Sequence, residues 1–284
     1  ITMINVCLLF GHYFLKYLTS RDITFSEIIE HPTSDLKIIK FPKQILPDDY
    51  LPGSHLRIGS SKWSPFFLIL PSHPYTIATN YNNRDNLASL IVKDTRFQII
   101  PFDTYSMQSY FKSSLSHNFF ETAENITIVC GGSGISLGVG VYDFFRNKIL
   151  SSADEIHLKL IWITKSESDL FILKELGVVG IEVFVTNSDS DNFDDVPVNN
   201  NGIELDTLVN PFKHPDDSPS ISSINAVSVG SRPNLKELIT PHLNLTIDYA
   251  NKWIISCGPS SLNKSCEQLA TKSKCQFFSE EYSM

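Results

Sequence analysis

The sequence lacks the signatures of several protein classes. It has no surplus of basic residues, because 23 Lys and Arg stand against 31 Asp and Glu, a formal net charge of -8. Nucleic-acid-binding proteins normally show a basic footprint, so this balance argues against a nucleic-acid partner. Cysteine is scarce, with five residues and no Cys-x-x-Cys pair, which argues against a disulfide framework and against a metal site. Reduced thiols facing the cytosol fit this usage better.

The negative charge is concentrated in one segment. Residues 187–222 contain eight acidic residues and one basic residue, so the segment has a net charge of -7 and the rest of the chain -1. The segment also contains Asn199–Gly202 and four prolines, which indicates an acidic surface insertion. The overall charge therefore does not exclude an anionic ligand elsewhere on the protein.

The amino-terminal residues are mostly apolar. The run Ile1–Leu18 is at the short limit for a membrane span. Tyr13, Lys16, Tyr17 and Arg21 resemble an interfacial belt with a positive cytoplasmic flank. We therefore expect residues 1–20 to be the end of a transmembrane helix. A signal-anchor and an amphipathic surface helix remain alternatives.

The length of 284 residues suggests about two domains, and the pattern changes near residue 120. Before it, short apolar runs separated by Pro and Gly predict strands and a small antiparallel β-barrel. These predicted strands are 35–41, 51–59, 66–70, 89–93 and 97–100.

After residue 120 strands and helices alternate, which predicts a doubly wound parallel sheet with ligands at the carboxyl ends of its strands. The predicted strands are 126–130, 157–164, 181–186, 226–229 and 252–257. The predicted helices are 135–150, 167–176, 233–238 and 260–271.

One short motif predicts a phosphate site. Gly131, Gly132, Ser133 and Gly134 follow a predicted strand and precede a predicted helix. Glycines let the backbone approach a pyrophosphate, and a helix start supplies free N–H groups. Leu137 occupies the place of the third glycine in the usual dinucleotide fingerprint. A tight strand-to-helix turn without a ligand is the alternative.

Three further motifs lie at predicted strand ends. Cys257-Gly258-Pro259 combines close backbone approach with a helix start. His73-Pro74-Tyr75-Thr76 offers an aromatic ring and a hydroxyl to a flat ligand. Arg232, within Gly230–Asn234, can hold a phosphate through two hydrogen bonds. Taken alone, each also fits an ordinary turn or a surface side chain.

In their order along the chain, the four motifs resemble those of the ferric reductase and NADPH oxidase family. The resemblance is to the FAD- and NADPH-binding dehydrogenase half, which is similar to ferredoxin–NADP reductases. The resemblance covers Leu36 to Met284. Within the family, the sequence looks most like the divergent fungal metalloreductases of the altered-inheritance-of-mitochondria type. The resemblance implies a FAD-binding β-barrel of the ferredoxin-reductase type over 21–118, and an NADPH-binding α/β domain over 119–284.

The resemblance also implies residue roles. FAD would be held by His73, Pro74, Tyr75 and Thr76. NADPH would be held by Gly131, Gly132, Ser133, Gly134, Lys165, Arg232, Cys257, Gly258 and Pro259. The residues implied for catalysis are Cys257, beside the nicotinamide, and Tyr282, which shields the flavin in the acidic-aromatic ending Phe278–Tyr282.

The implied function is a membrane-associated NADPH dehydrogenase. Electrons would pass from NADPH to FAD, then to haem b in a membrane domain outside this sequence. The acceptor would be a chelated ferric or cupric ion, or oxygen to give superoxide. The implied location is the plasma membrane or endoplasmic reticulum, with this region facing the cytosol.

One departure from the family pattern supports a different function. The second flavin motif, Gly-Pro-Tyr-Gly, is reduced to Pro101-Phe102 without its glycines. This favours, as an alternative, a degenerate regulatory subunit that binds nucleotide without turnover. A soluble flavoenzyme with a fortuitously apolar start is a second alternative.

Overall fold

The computed structural model describes residues 2–25, 27–79, 86–93, 99–151, 155–186, 225–230, 232–246 and 251–281. The acidic segment 187–222 and Tyr282 lie outside these residues. The chain divides into two compact units. Unit 1 comprises Ile1–Glu30 and Leu36–Ser116, and unit 2 comprises His31–Asp35 and His117–Met284.

Unit 1 is an antiparallel β structure with a helix at its start. Its described helices are α1 (Thr2–Thr19) and α2 (Phe66–Ile69), with a 3-10 turn at Lys43–Ile45. Its described strands are β1 (Arg21–Thr24), β2 (Glu27–Glu30), β3 (Leu36–Pro42), β4 (His55–Ser60), β5 (His73–Thr76), β6 (Leu87–Lys93) and β7 (Thr104–Phe111).

The strands of unit 1 form two sheets around one core. The sheet orders are β1-β7-β4-β5 and β2-β3-β6, and every strand pair is antiparallel. An isolated bridge between Ile77 and Leu90 links them. Apolar residues from both sheets meet inside, among them Phe41, Leu56 and Ile58. This confirms the predicted antiparallel barrel class.

Two strands predicted in unit 1 were wrong and one strand was missed. Of the predicted strand 97–100, the described residues Ile99 and Ile100 lie outside every described strand. In the predicted strand 66–70, Phe66–Ile69 form the helical turn α2, because Pro65 adopts a helical conformation and Ser64 accepts hydrogen bonds from the amides of Phe66 and Phe67. Strand β7 was missed, because its polar residues interrupt the apolar pattern. Ser106 is nevertheless buried and donates a hydrogen bond to the carbonyl of Ser60.

Residues 1–20 contain the expected helix, since α1 spans Thr2–Thr19. In the part of the chain that the structure describes, no helix combines the length and the apolar character that a membrane span requires. The expectation of a transmembrane remnant is therefore not supported.

Unit 2 alternates strands and helices. Its described strands are β8 (Asn125–Gly131), β9 (His157–Thr164), β10 (Glu182–Val185), β11 (Ala226–Val229), β12 (Lys252–Gly258) and β13 (Gln276–Glu281). Its described helices are α3 (His117–Thr122), α4 (Ile135–Ser151), α5 (Phe171–Leu176), α6 (Leu235–Leu243) and α7 (Ser260–Ser273). Short 3-10 turns occur at Gly132–Gly134 and Glu167–Leu170.

The six strands form one parallel sheet in the order β11-β10-β9-β8-β12-β13. The strand order reverses between β8 and β12, so this is the topological switch point of a doubly wound sheet. The predicted fold class of unit 2 is confirmed. The edge strand β13 was not predicted, because it is only partly buried and four of its six residues are polar or acidic.

Candidate functional site

The switch point brings two of the predicted motifs together. Strands β8 and β12 are adjacent and in register, with Cys130 paired to Cys257. The glycine motif leaves the carboxyl end of β8, and Gly258-Pro259 leaves the carboxyl end of β12. Ligands of open parallel sheets bind in the crevice outside such strand ends.

Glycine is required where the two motifs touch. A β-carbon on Gly134 would stand 2.2 Å from the carbonyl oxygen of Cys257. One on Gly131 would stand 3.0 Å from Cδ of Pro259, and one on Gly258 would stand 3.2 Å from the amide nitrogen of Gly131. The two strand-to-helix turns are therefore packed backbone to backbone.

Gly132 differs from these neighbours because it faces open space. Its φ is +54°, a left-handed conformation that favours glycine, and a β-carbon there would meet no described atom within 4 Å. The indole Nε1 of Trp162 donates a 3.0 Å hydrogen bond to the carbonyl of Gly132 and fixes the turn. The start of α4 follows directly, and its first turn carries no acidic residue. This arrangement fits an anionic phosphate.

A further glycine, Gly138, was given no role by the sequence reasoning. A β-carbon on it would stand 2.4 Å from Sγ of Cys130, so α4 packs directly on β8. Close helix-to-strand packing is the role of the third glycine in a dinucleotide fingerprint. The signal was a glycine displaced by one position from the place that Leu137 occupies.

Cys257 is completely buried, and its thiol lies under Gly134. A second residue that sequence reasoning missed, Asn263 on α7, holds this region in place. Its side-chain amide donates to the carbonyls of Gly258 and Glu280, and its Oδ1 accepts a 2.7 Å hydrogen bond from Ser256. Asn263 therefore ties the ends of β12 and β13 to the start of α7.

Strand β13 places a carboxyl group beside the switch point. Glu280 is paired in register with Cys257, and burial raises the pKa of its carboxyl to about 7. The adjacent Glu281 is exposed and accepts a hydrogen bond from the hydroxyl of Ser260. The predicted flavin shield, Tyr282, follows directly but lies outside the described residues.

The two predicted basic residues both follow strands at the carboxyl edge of the sheet. Lys165 follows β9 and Arg232 follows β11, and both side chains are exposed. The loop after Lys165 is fixed by the buried carboxylate of Asp169, which accepts hydrogen bonds from Thr164 and from Ser34 (2.5 Å to the Ser34 hydroxyl). Gly230 precedes Arg232 with a φ of +87°.

The predicted flavin motif forms all of strand β5 in unit 1. Thr76 is buried, Pro74 is exposed, and His73 and Tyr75 are partly buried. The phenol of Tyr75 packs on the core, and burial, with a smaller effect of Tyr105, raises its pKa to about 12. Ser72 lies directly before the strand, and its hydroxyl and carbonyl accept hydrogen bonds from Arg57.

The remnant of the second flavin motif contains a residue in the left-handed region. Phe102 has a φ of +63° and is 78% exposed. A bulky side chain in the left-handed region is strained by steric contact with its own backbone. The chain thus keeps a conformation that glycine would adopt freely, on a residue that is not glycine.

Two family models match the chain. Residues 123–271, more than half of the chain, match the ferric reductase NAD binding domain. Residues 24–132 match an FAD-binding domain. These matches confirm the expected pair of cofactor-binding domains, for FAD and for a nicotinamide dinucleotide.

Relatives and solved structures agree with these matches. The chain is 30% identical to a probable metalloreductase AIM14 of Candida dubliniensis over 99% of its own length, and 29% identical to that of Scheffersomyces stipitis over 100%. It spans 58% and 56% of the length of these two relatives.

A ferredoxin NADP+ reductase of Neisseria gonorrhoeae with bound FAD and NADP has the same fold, with a TM-score of 0.60, 14% identity, and coverage of 93% of this chain and 98% of that one. The ferredoxin-NADP+ reductase of Plasmodium falciparum with 2'P-AMP matches with a TM-score of 0.58 and 14% identity. That match covers 94% of this chain and 97% of that one.

Proposed function

The chain belongs to the family of ferric reductase NAD-binding domains, and on that premise we propose that it is the NADPH dehydrogenase part of a metalloreductase. NADPH is the electron donor and FAD the internal carrier. The end acceptor is a chelated ferric or cupric ion. FAD, when bound, supplies the conversion of a two-electron donor into a source of single electrons.

The observation that carries this proposal is the open glycine turn at the switch point. Gly132 faces open space at the start of α4, while Gly131, Gly134 and Gly258 hold the surrounding backbone in contact. The N–H groups of the turn and the helix start bind the dinucleotide pyrophosphate. Lys165 and Arg232, at the ends of β9 and β11, bind the additional phosphate that distinguishes NADPH from NADH.

The residues around β12 orient the nicotinamide. Cys257 supports the turn as a buried packing residue, and Gly258 lets the two turns pack backbone to backbone. Asn263 fixes the positions of Gly258 and Glu280 relative to each other. Glu280, with a pKa of about 7, can hold or release a proton at neutral pH beside this position.

In unit 1 the strand β5 binds FAD. Tyr75 faces the flavin, Thr76 hydrogen-bonds to it, and His73 and Pro74 lie beside it on the same strand. Tyr282 covers the flavin until nicotinamide displaces it. We further propose that α1, whose apolar side chains are largely exposed, associates with a membrane and that this part of the protein faces the cytosol.

The test uses the purified chain loaded with FAD under anaerobic conditions. Addition of NADPH is expected to bleach the flavin absorbance band, and ferric citrate is expected to restore it. Gly132→Ala is expected to weaken NADPH binding about tenfold or more, because its methyl group enters the phosphate space and strains the turn.

Gly177→Ala is the matched control for that variant. Gly177 has a similar φ of +63° and also meets no described atom within 4 Å, but it ends α5 at the opposite edge of the sheet. Equal NADPH binding by the two variants would contradict the phosphate role of the turn.

The loss of both glycines around Pro101-Phe102 favours one second candidate, a regulatory subunit that binds nucleotide without turnover. It predicts that NADPH binds, as titration calorimetry would show, while the flavin band does not bleach. Bleaching at a rate that supports repeated turnover with ferric citrate excludes it.

A further inference from the structure

Unit 1 exposes large apolar side chains on the loop between β4 and β5. Trp63 is 78% exposed, Phe66 is 55% exposed and Ile69 is 75% exposed. Leu68 and Leu70 are exposed as well, and we call these five residues the loop patch. An apolar surface of this kind marks an interaction site.

The loop patch adjoins a second exposed apolar surface, that of helix α1. The ammonium group of Lys16 donates a 2.6 Å hydrogen bond to the carbonyl of Phe67, and the ring of Tyr17 meets the ring of Phe67 edge-on with 6.3 Å between centroids. Apolar side chains of α1 remain exposed beyond these contacts, including Leu8, Phe10, Phe14, Leu15 and Leu18. The two elements therefore form one surface.

Basic groups lie beside this surface. A pocket of about 410 Å³ lies against the carboxyl-terminal half of α1 and is lined in part by His12, Lys16 and Arg57. Thr19, Ser72 and Gln108 add polar groups, and none of the lining residues is acidic. Lys62 lies 5.6 Å from the centre of the Tyr17 ring.

The basic groups of this pocket have no carboxylate partner among the described residues, where neither Lys16 nor Arg57 forms an ion pair. Burial, and then the charge of Arg57, lower the pKa of Lys16 and also that of His55. An anion in the pocket would relieve this repulsion.

We propose that α1, the loop patch and the basic pocket together form a surface that docks on an anionic phospholipid bilayer. The apolar side chains enter the boundary between head groups and acyl chains, and the pocket receives a headgroup phosphate. The proposal rests on the proposed membrane association of α1 and adds to it a second contact element and a lipid site.

The composition of the surface supports a bilayer over a protein partner. An exposed Trp, a Tyr and lysines beside an apolar surface are typical of the interfacial zone of a membrane. Basic residues there attract the anionic lipids of a cytoplasmic leaflet. The docking would also act on β5, because Arg57 in the pocket holds Ser72, the residue directly before His73.

The first test places Trp63 in the membrane. The full chain is mixed with phosphatidylcholine vesicles with or without phosphatidylserine, with brominated lipids as quenchers of tryptophan fluorescence. Quenching is expected with the anionic vesicles and is expected to vanish in Trp63→Phe, because Trp162 is fully buried and Trp253 lies in the sheet of unit 2. Binding to vesicles without quenching of Trp63 would overturn the docking surface.

The second test measures the affinity for vesicles by co-sedimentation. Ile69→Ser is expected to weaken binding about tenfold, as the loss of one buried apolar side chain would do. Leu150→Ser and Leu245→Ser are matched controls, since both leucines are exposed but belong to unit 2. A loss in the controls equal to that in Ile69→Ser would show unspecific adsorption and overturn the proposal.

The third test concerns the basic pocket. Arg57→Gln is expected to reduce the preference for phosphatidylserine about fivefold and to weaken its salt dependence, whereas Arg57→Lys retains most of it. An unchanged lipid preference in Arg57→Gln would overturn the lipid site. If vesicle binding persists in Ile69→Ser and Arg57→Gln but is lost in Leu8→Ser, membrane association through α1 stands and the docking surface proposed here does not.

A protein partner gives a different outcome. Sedimentation velocity without vesicles would then show dimers in the wild-type chain and monomers in Ile69→Ser, which would overturn the lipid assignment. Flavin reduction by NADPH in solution is expected to be unchanged in Ile69→Ser. The docking surface and the proposed redox function can therefore fail independently of each other.

Discussion

Gly134 and the carbonyl of Cys257 are so close that a β-carbon on the glycine would stand 2.2 Å from the oxygen. Real side chains do not approach a backbone carbonyl at that distance, and neither partner is a flexible side-chain end. The two strand-to-helix turns of the site are thus one packing unit, and a change in one moves the other.

Gly134→Ala is therefore expected to destabilise unit 2 by at least about 2 kcal/mol, the range of severe overpacking in a closely packed interior. Urea denaturation followed by tryptophan fluorescence measures this. Gly230→Ala is the control, because Gly230 has a φ of +87° but a β-carbon there would meet no described atom within 4 Å. It is expected to cost about 1 kcal/mol, and equal losses in the two variants would refute the contact.

Glu280 makes the stability of unit 2 depend on pH in a defined direction. Burial raises its pKa from 4.5 to about 7, so between these values the folded state binds more protons than the unfolded state. Its contribution to stability is fully present below pH 4.5 and is lost as the pH rises through about 7. The unfolding free energy of the wild-type chain, relative to that of Glu280→Gln, should therefore fall as the pH rises from 4.5 through about 7.

The control for this prediction lies on the same strand. Glu281→Gln changes an exposed carboxylate and is expected to keep the wild-type pH profile in this window. If Glu280→Gln also keeps it, the carboxyl of Glu280 is not buried as described.

Lys165 and Arg232 are expected to discriminate between NADPH and NADH. Removing either charge, in Lys165→Ala or Arg232→Ala, should weaken the binding of NADPH about tenfold and the binding of NADH little. The reason is the loss of a charge-assisted hydrogen bond to the additional phosphate. The ratio of kcat/KM for the two donors measures the effect. Lys174→Ala, an exposed lysine on α5, is the control. An equal loss of kcat/KM for NADPH and NADH would contradict the assignment of these two residues to the additional phosphate.

Phe102 offers a test of backbone strain. Its left-handed φ costs about 1–2 kcal/mol, and its exposed ring contributes little packing in return. Phe102→Gly is expected to leave stability unchanged or to raise it by up to about 1 kcal/mol, after the added freedom of the unfolded chain is subtracted. Phe102→Val should lower it, since β-branched residues avoid this region. Thermal unfolding of the two variants gives the comparison, and a stabilising Phe102→Val would show that no strain exists.

The parts of the fold that sequence could predict are those governed by local patterns. Apolar runs such as 126–130 and 157–164, bounded by turn residues, predict strands, and the glycine turn between a strand and a helix has a clear signature. Strand β7 and helix α2 escaped, because buried Ser106 reads as polar and Phe66 and Ile69 read as core although they are exposed. Burial of these residues depends on contacts distant in sequence, which a local pattern does not contain.

The candidate site shows the same division. Gly131–Gly134 and Cys257–Pro259 were predicted as motifs, and the parallel sheet explains why they meet. Asn263 and Trp162 were not predicted, although their hydrogen bonds hold both turns. A lone Asn in a helix and a lone Trp in a strand carry no local signal, because their partners are 5 to 30 positions away.

Unit 2 is not one contiguous stretch of chain, because His31–Asp35 belongs to it. Ser34 from this short piece bonds the buried carboxylate of Asp169, Ser168 donates to the carbonyl of Thr33, and His31 stacks on Phe171. A gene fragment that starts at His117 would encode every strand of the parallel sheet and still omit these contacts. The loop after Lys165 would then lose a partner of its buried carboxylate. The two units are therefore interleaved along the chain, and transplanting the nucleotide-binding unit onto another protein requires that five-residue piece as well.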